Sequence, residues 1–479
     1  MTLHWLYIDK HTHHSKRMTI DSTWLHAFKE DSPHAFTPSA PFRPYATFVD
    51  GQIKLMQAVR REPLTWDQFI FNQFTRHLKK WFEVSDVVVL AFDNYDLVPR
   101  AKSMTQCKRR KHIPPIPFSE HSELPAMVPE GERWMQCIAN RTFKTRVIDL
   151  VILRLPHLLL PPGEAHSRKR LIIDYHEPRM FWFNPQEGRP TSQLMDELPA
   201  LGEADVKFTR YADLYGKLMV DSIDGDSVPI ALLHLERAMR STTPQRIPET
   251  CIHRMQLNTV KTERTAGAKR STPDGDTKAR REKATYEFVH VNALYQGLKQ
   301  AVAQSIGRVV IPTHQGHEMG MLVALIALTG TDFSRNLPQV SGRSVFGFLP
   351  SIWGALIQAY DPATGQLDVH VAADVLVSRI YHVKFPKQLS PSTEGSLEAA
   401  LTRLRGEGGG PSSKLAPRVR DSLPTAARVV CSIRNANWVL KYWGWNMDEP
   451  HPVPDPVQPT YGFQRLPNGA TEYADACPV

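Results

Sequence analysis

VSDVVVLAFD, residues Val84–Asp93, is apolar at every position from Val87 to Phe92 and rich in β-branched side chains. A strand with one face in water alternates apolar and polar residues; this run does not. It therefore predicts a strand buried on both faces, as in a parallel sheet covered by helices. It ends in a carboxylate, Asp93. Upstream, Ala46–Asp50 (ATFVD) is a shorter run of the same kind, and it too ends in an acid. Between them, Ile53–Arg61 and Leu64–Phe82 repeat apolar residues near the helical period, which predicts two helices. Strands alternating with helices predict an α/β chain whose central sheet is mostly parallel and flanked by helices.

The pattern continues downstream. Val147–Leu155 is apolar, and Leu171–Asp174 and Met180–Phe183 are strand-like. Glu203–Met219 reads as a helix, Leu218–Asp226 (LMVDSIDGD) as a strand, and Ile230–Met239 as a helix after Pro229. Residues 240–283 hold Thr, Ser, Gly and Pro together with Lys261, Arg264, Lys269, Arg270, Lys278, Arg280, Arg281 and Lys283. That composition predicts a mobile basic loop able to grip a phosphate backbone. Tyr286–Ile306 and Met319–Leu328 read as helices, Arg405–Arg418 as a linker, and Trp438, Tyr442, Trp443 and Trp445 as core aromatics. The expected organisation is an extension over residues 1–40 and an α/β core over 41–240. A basic insertion follows over 241–283, then a helical region completing the core over 284–360, and a C-terminal region over 361–479.

Composition narrows the function. Hydrophobic residues are 42% and charged residues 22%, which suits a globular core and excludes a largely disordered chain. The net charge of +9 fits a polyanionic partner. Five scattered cysteines (107, 137, 251, 431 and 477), never in CxxC spacing, argue against a disulfide framework or zinc ribbon. They suit a reducing compartment. No apolar run is long enough to span a bilayer, and no signal-peptide pattern opens the sequence. The expectation is a soluble, intracellular protein that does not engage a membrane. Phosphate-loop, nucleophile-elbow and HExxH patterns are missing; His314 and His317 stand in HQGHE.

Acids recur where apolar elements end: Asp50, Asp93, the pair Glu203 and Asp205, the pair Asp224 and Asp226, and Asp332 in LTGTD. In an open parallel sheet, the carboxyl ends of the strands face one crevice, so acids placed there converge. Carboxylates crowded together repel one another, and hard divalent cations relieve that conflict. Two such ions about 4 Å apart suit in-line displacement at a phosphodiester.

Read as a series, these islands resemble the flap-endonuclease family of PIN-like 5′ nucleases. The matching stretches are FVDGQIKLMQAVRR at Asp50, VVVLAFDNYDLVPRAK at Asp93 and GEADVKFTRYADLYGKL at Glu203 and Asp205. SIDGDSVPIALL at Asp224 and Asp226 and LTGTDFSRNLPQVSGRSV at Asp332 complete the series. The resemblance covers residues 45–350 in islands. It implies a PIN-like core and hydrolysis of flap or branched DNA with two Mg²⁺ or Mn²⁺, in replication or repair. Asp50, Asp93, Glu203 and Asp205 would hold the first ion, and Asp224, Asp226 and Asp332 the second. Arg100 and Lys102 would contact the scissile phosphate, with the basic run Lys108, Arg109 and Arg110 close behind. Gln339–Ser344 (QVSGRS), with Gly342 and Arg343, stands where the family carries a hairpin that grips duplex DNA through backbone amides. The chain departs from the pattern in having Asp205 where the family has Glu, Pro229 after D-x-D, and a single glycine in the hairpin. An inactive nucleic-acid-binding scaffold of the same fold and a PIN-type ribonuclease acting on RNA are the alternatives.

Overall fold

A computed structural model describes residues 23–56, 64–94, 115–160, 168–198, 201–222, 224–241, 247–257, 284–306, 314–331, 337–389, 396–406, 415–444, 461, 463–465 and 471–473. Its centre is a nine-stranded mixed sheet. The strands are β1 Phe36–Thr37, β2 Ala46–Asp50, β3 Val87–Ala91, β4 Arg170–Asp174, β5 Pro178–Asn184, β6 Arg189–Leu194, β7 Lys217–Asp221, β8 Glu249–Leu257 and β9 Ala284–His290. Across the sheet they run β1-β9-β8-β7-β2-β3-β4-β5-β6. The five central strands, β8-β7-β2-β3-β4, are parallel. The outer pairs on both sides are antiparallel.

Burial explains the composition of β3. Val87, Val89 and Ala91 belong to a cluster on one face, and Val88 and Leu90 to a cluster on the other. A strand covered twice has no polar side, so its sequence does not alternate. Helices Arg76–Val84, Gly131–Ala139 and Arg141–Leu159 cover the second face, packing Leu78, Trp134, Phe143 and Val147 there. Helices Ala204–Tyr215, Ser227–Arg240 and Val291–Ile306 cover the first. That first cluster is contiguous from Trp24 to Tyr461 and takes in Trp438, Tyr442 and Trp443. The tryptophans at 438 and 443 are thus core residues, as expected; Trp445 lies outside the described residues.

The stretch expected to be an extension contributes to the fold from Thr23 onward. Helix Thr23–Asp31 packs Phe28 on Phe346, and β1 pairs with β9. The stretch expected to be a loop from residue 240 contains β8, with Cys251 and Ile252 fully buried. The helix expected from Tyr286 begins at Val291, because Ala284–His290 forms β9 against β8. Residues 258–283, which hold most of the basic positions, lie outside the described residues, as does most of the 405–418 linker. Cys137 and Cys251 are free thiols, whereas Cys431 is disulfide-bonded. No described helix is long and apolar enough to cross a membrane.

One buried acid ties the first face together. Glu236 accepts hydrogen bonds from Met319 N (2.7 Å) and Gly320 N (3.0 Å), closing the amino end of helix Glu318–Thr329. Burial pushes its carboxyl up to about 7, against the pull of Arg240 and of those two amides. A carboxyl whose pKa is raised on folding stabilises most below its unfolded value. That contribution is lost as pH rises through the folded one. Thermal unfolding between pH 5 and 8 is therefore expected to show a midpoint that falls with rising pH. Glu236→Gln is expected to flatten that slope; an unchanged slope in the variant would assign it elsewhere.

Candidate functional site

The chain order of the strands locates the crevice. From β2 the chain adds β3 and then β4 on one side, then returns to place β7 and β8 on the other. The order reverses between β2 and β7, and ligands of open α/β sheets bind at the carboxyl ends beside such a reversal. β2 ends in Asp50 and β7 in Asp221, one register step apart, because Val49 pairs with Asp221. Asp50 pairs with Ala91, so Asp93 stands two residues past the end of β3.

Asp93 is held from the next crossover. The Ala204 amide donates to its Oδ1 at 3.1 Å, and Asn94 N donates to Gly202 O at 2.6 Å. This contact brings the start of helix Ala204–Tyr215 onto the end of β3. Glu203 is the residue capping that helix, and Asp205 lies in its first turn. A helix start is electropositive, so both acids are favoured there. Glu203 is fully buried, and Asp50, Asp93 and Asp205 nearly so. Asp50 Oδ1 accepts the Ile53 amide at 3.2 Å. Gly51 makes room at this junction: a Cβ there would stand 2.6 Å from the Phe92 ring and 2.8 Å from the Ala91 carbonyl.

Asp224 and Asp226 follow β7 and lead into helix Ser227–Arg240, half-exposed. The Asp224 amide donates to Ser222 Oγ (3.2 Å), and Asp224 Oδ1 accepts the Asp226 amide at 3.1 Å. The register thus sets Asp50, Asp93, Glu203, Asp205, Asp224 and Asp226 along one edge of the sheet. Direct contact joins Asp93 to the 203–205 turn, and Asp224 to Asp226. Among the described residues, no group of three or more His, Cys, Asp or Glu is arranged as a metal-binding set. The donor chemistry, oxygen carboxylates throughout, suits Mg²⁺ or Mn²⁺.

Arg100, Lys102, Lys108, Arg109, Arg110 and Asp332 lie outside the described residues. Gly342 opens the short helix Gly342–Gly347, whose cap Ser341 accepts the Ser344 amide on Oγ and the Val345 amide on its carbonyl. Arg343 follows Gly342 in that helix. Phe346 of the same helix packs on Phe28.

Two strand-terminal acids escaped the sequence reading, although the same rule applies to both. Asp174 ends β4 and pairs with Lys207 (3.0 Å) and with Arg210. Tyr211 donates to it at 2.8 Å. Burial opposes its charge, but Arg210 and Lys207 outweigh that and hold the carboxyl below its usual range. Asp221 ends β7 between His77 Nε2 (2.6 Å), His253 Nδ1 (2.8 Å) and Lys54 Nζ (3.5 Å). Against burial, Lys54 and the two imidazole hydrogen bonds hold it well below the usual carboxylate range. No family model and no curated protein matches the chain.

Proposed function

We propose that this chain is a metal-dependent nuclease of the flap-endonuclease, PIN-like type, hydrolysing phosphodiester bonds of flap or branched DNA. The observation that supports this most is the carboxyl end of the sheet at the reversal of strand order, where four connections carry six acids and where Asp93 touches the 203–205 turn and Asp224 the Asp226 amide. Asp50, Asp93, Glu203 and Asp205 would hold one divalent cation, and Asp224 and Asp226, with Asp332, a second. Mg²⁺ or Mn²⁺ there supplies an acidic bound water and stabilises the leaving oxygen. The residues around the acids fix their positions: the Ala204 and Ile53 amides orient Asp93 and Asp50, and Gly51 lets β2 and β3 close at the edge. Arg100 and Lys102 are the candidates for neutralising the scissile phosphate.

The test is cleavage of a labelled 5′-flap duplex by the full chain. Cutting is expected with Mg²⁺ or Mn²⁺, to be lost in EDTA, and to exceed cutting of the matched RNA. Flap binding without any metal-dependent cutting would replace the nuclease with a nucleic-acid-binding scaffold. Preference for the RNA would make the chain a PIN-type ribonuclease.

A further inference from the structure

The Asp221 cluster lies one register step from Asp50, on the sheet face opposite Val220 and Ile252, and five elements build it. Helix Gly51–Met56 supplies Lys54, helix Arg76–Val84 supplies His77 and Trp81, β7 supplies Asp221, β8 His253, and β9 Tyr286 and Phe288. Trp81 Nε1 also donates to Asp221 Oδ2, at 3.3 Å. One carboxylate therefore faces an ammonium, two imidazoles and an indole N–H. Lys54 offsets the Asp221 carboxylate, and Lys80, exposed on the same helix as His77, leaves the cluster with a positive balance. An incoming anion would complete the balance.

The aromatic half of the cluster has a free surface. His253 is enclosed by Trp81 (ring centroids 5.3 Å apart), Phe288 (4.8 Å) and Tyr286 (5.1 Å). Tyr286 lies flat on the imidazole, with 7° between the planes, yet is 52% exposed. A half-exposed ring fixed flat on a half-buried one leaves its outer face open to another flat ring. Stacking surfaces beside cations are how proteins hold single strands without reading sequence.

We propose that Tyr286, His253, His77 and Lys54 form a binding site for one nucleotide of a single-stranded nucleic acid. The base stacks on Tyr286 and its phosphate lies toward His77 and Lys54. Asp221 acts as a positioning residue that fixes both imidazoles. The choice of a nucleic acid over another aromatic anion rests on the nuclease reading. The site would hold a single strand beside the acidic edge.

Fluorescence anisotropy of a labelled oligo(dT) with the full chain in EDTA tests this without requiring catalysis. Tyr286→Ala is expected to weaken binding by about fivefold or more, the range of one lost base stack. Tyr286→Phe, which keeps the ring, is expected to bind as the wild type does. Tyr286 is half in solvent, so the alanine variant should keep its circular dichroism spectrum. Equal binding by wild type and Tyr286→Ala, or no binding by wild type, would overturn the site. The same proteins with Mg²⁺ and flap duplex separate the two ideas. A wild type that binds oligo(dT) but cuts nothing leaves the site and removes the nuclease. A wild type that cuts, with Tyr286→Ala binding undiminished, does the reverse.

Discussion

Replacing Asp224 and Asp226 together by alanine is expected to lower Mg²⁺-dependent cutting of a 5′-flap duplex by about a thousandfold or more. A cation that activates water and steadies a leaving oxygen contributes several kcal/mol to the barrier, and about 4 kcal/mol is three decades of rate. The fold should survive the change. Both residues are only partly buried, and Asp226, at the start of helix Ser227–Arg240, makes no side-chain cap there. Among the bonds lost, the one from the Asp226 amide to Asp224 Oδ1 contributes about 1 kcal/mol. Activity and stability should therefore separate: cutting collapses while the urea midpoint moves little. Mn²⁺ titration by calorimetry should show fewer ions bound than in the wild type. Cutting within about tenfold of wild type would remove these two acids from the metal site, at roughly 1.4 kcal/mol per decade.

The central sheet was legible because burial on both faces leaves a mark on composition. β2, β3 and β7 are short apolar runs ending in Asp50, Asp93 by way of Phe92, and Asp221. β8 and β9 were not legible. Within ETCIHRMQL, buried Cys251 and Ile252 stand among Glu249, Thr250, His253 and Arg254, and the residues that follow in sequence are polar and basic, so β8 carries no apolar run to detect. ATYEFVH merges with the helix at Val291, and its strand character comes from pairing with β8, a contact the local sequence does not encode. The acids show the same divide. Position at a strand end is a local feature, and it pointed to Asp50 and Asp93. Asp174 and Asp221 have that feature as well. Each also has cationic or imidazole partners far along the chain: Lys207 and Arg210 for one, His77 and His253 for the other. Neutralisation is a tertiary property, so the sequence cannot sort a ligand carboxylate from a structural one.

The same sorting gives the largest expected effect on stability. Asp174→Ala should destabilise the chain by about 3–5 kcal/mol, because it strands two cations in the interior. The Lys207 and Arg210 side chains are fully buried and the Asp174 side chain is 1% exposed, so water cannot replace the lost carboxylate. Tyr211 loses its acceptor too. Urea denaturation followed by tryptophan fluorescence at pH 7 measures the loss, and a change under about 1 kcal/mol would show that the cluster relaxes freely. The pH dependence has a definite sign. Asp174 is more acidic folded than unfolded, so its contribution is present above its ordinary pKa of 3.8 and fades as pH falls through the lower folded value. An all-apolar replacement, Asp174→Leu with Lys207→Met and Arg210→Met, should recover much of the stability, since buried ion clusters often exchange for hydrocarbon at little net cost. It should not recover cutting. Lys207 Nζ also donates to the carbonyls of Phe92 (2.7 Å), Asp174 (3.3 Å) and Tyr175 (3.1 Å), lacing the ends of β3 and β4 to helix Ala204–Tyr215. Phe92 is the residue before Asp93, and methionine has no donor to hold it. A stable triple variant with lowered Mn²⁺ affinity would separate the two roles of this lysine, whereas wild-type affinity would confine it to stability.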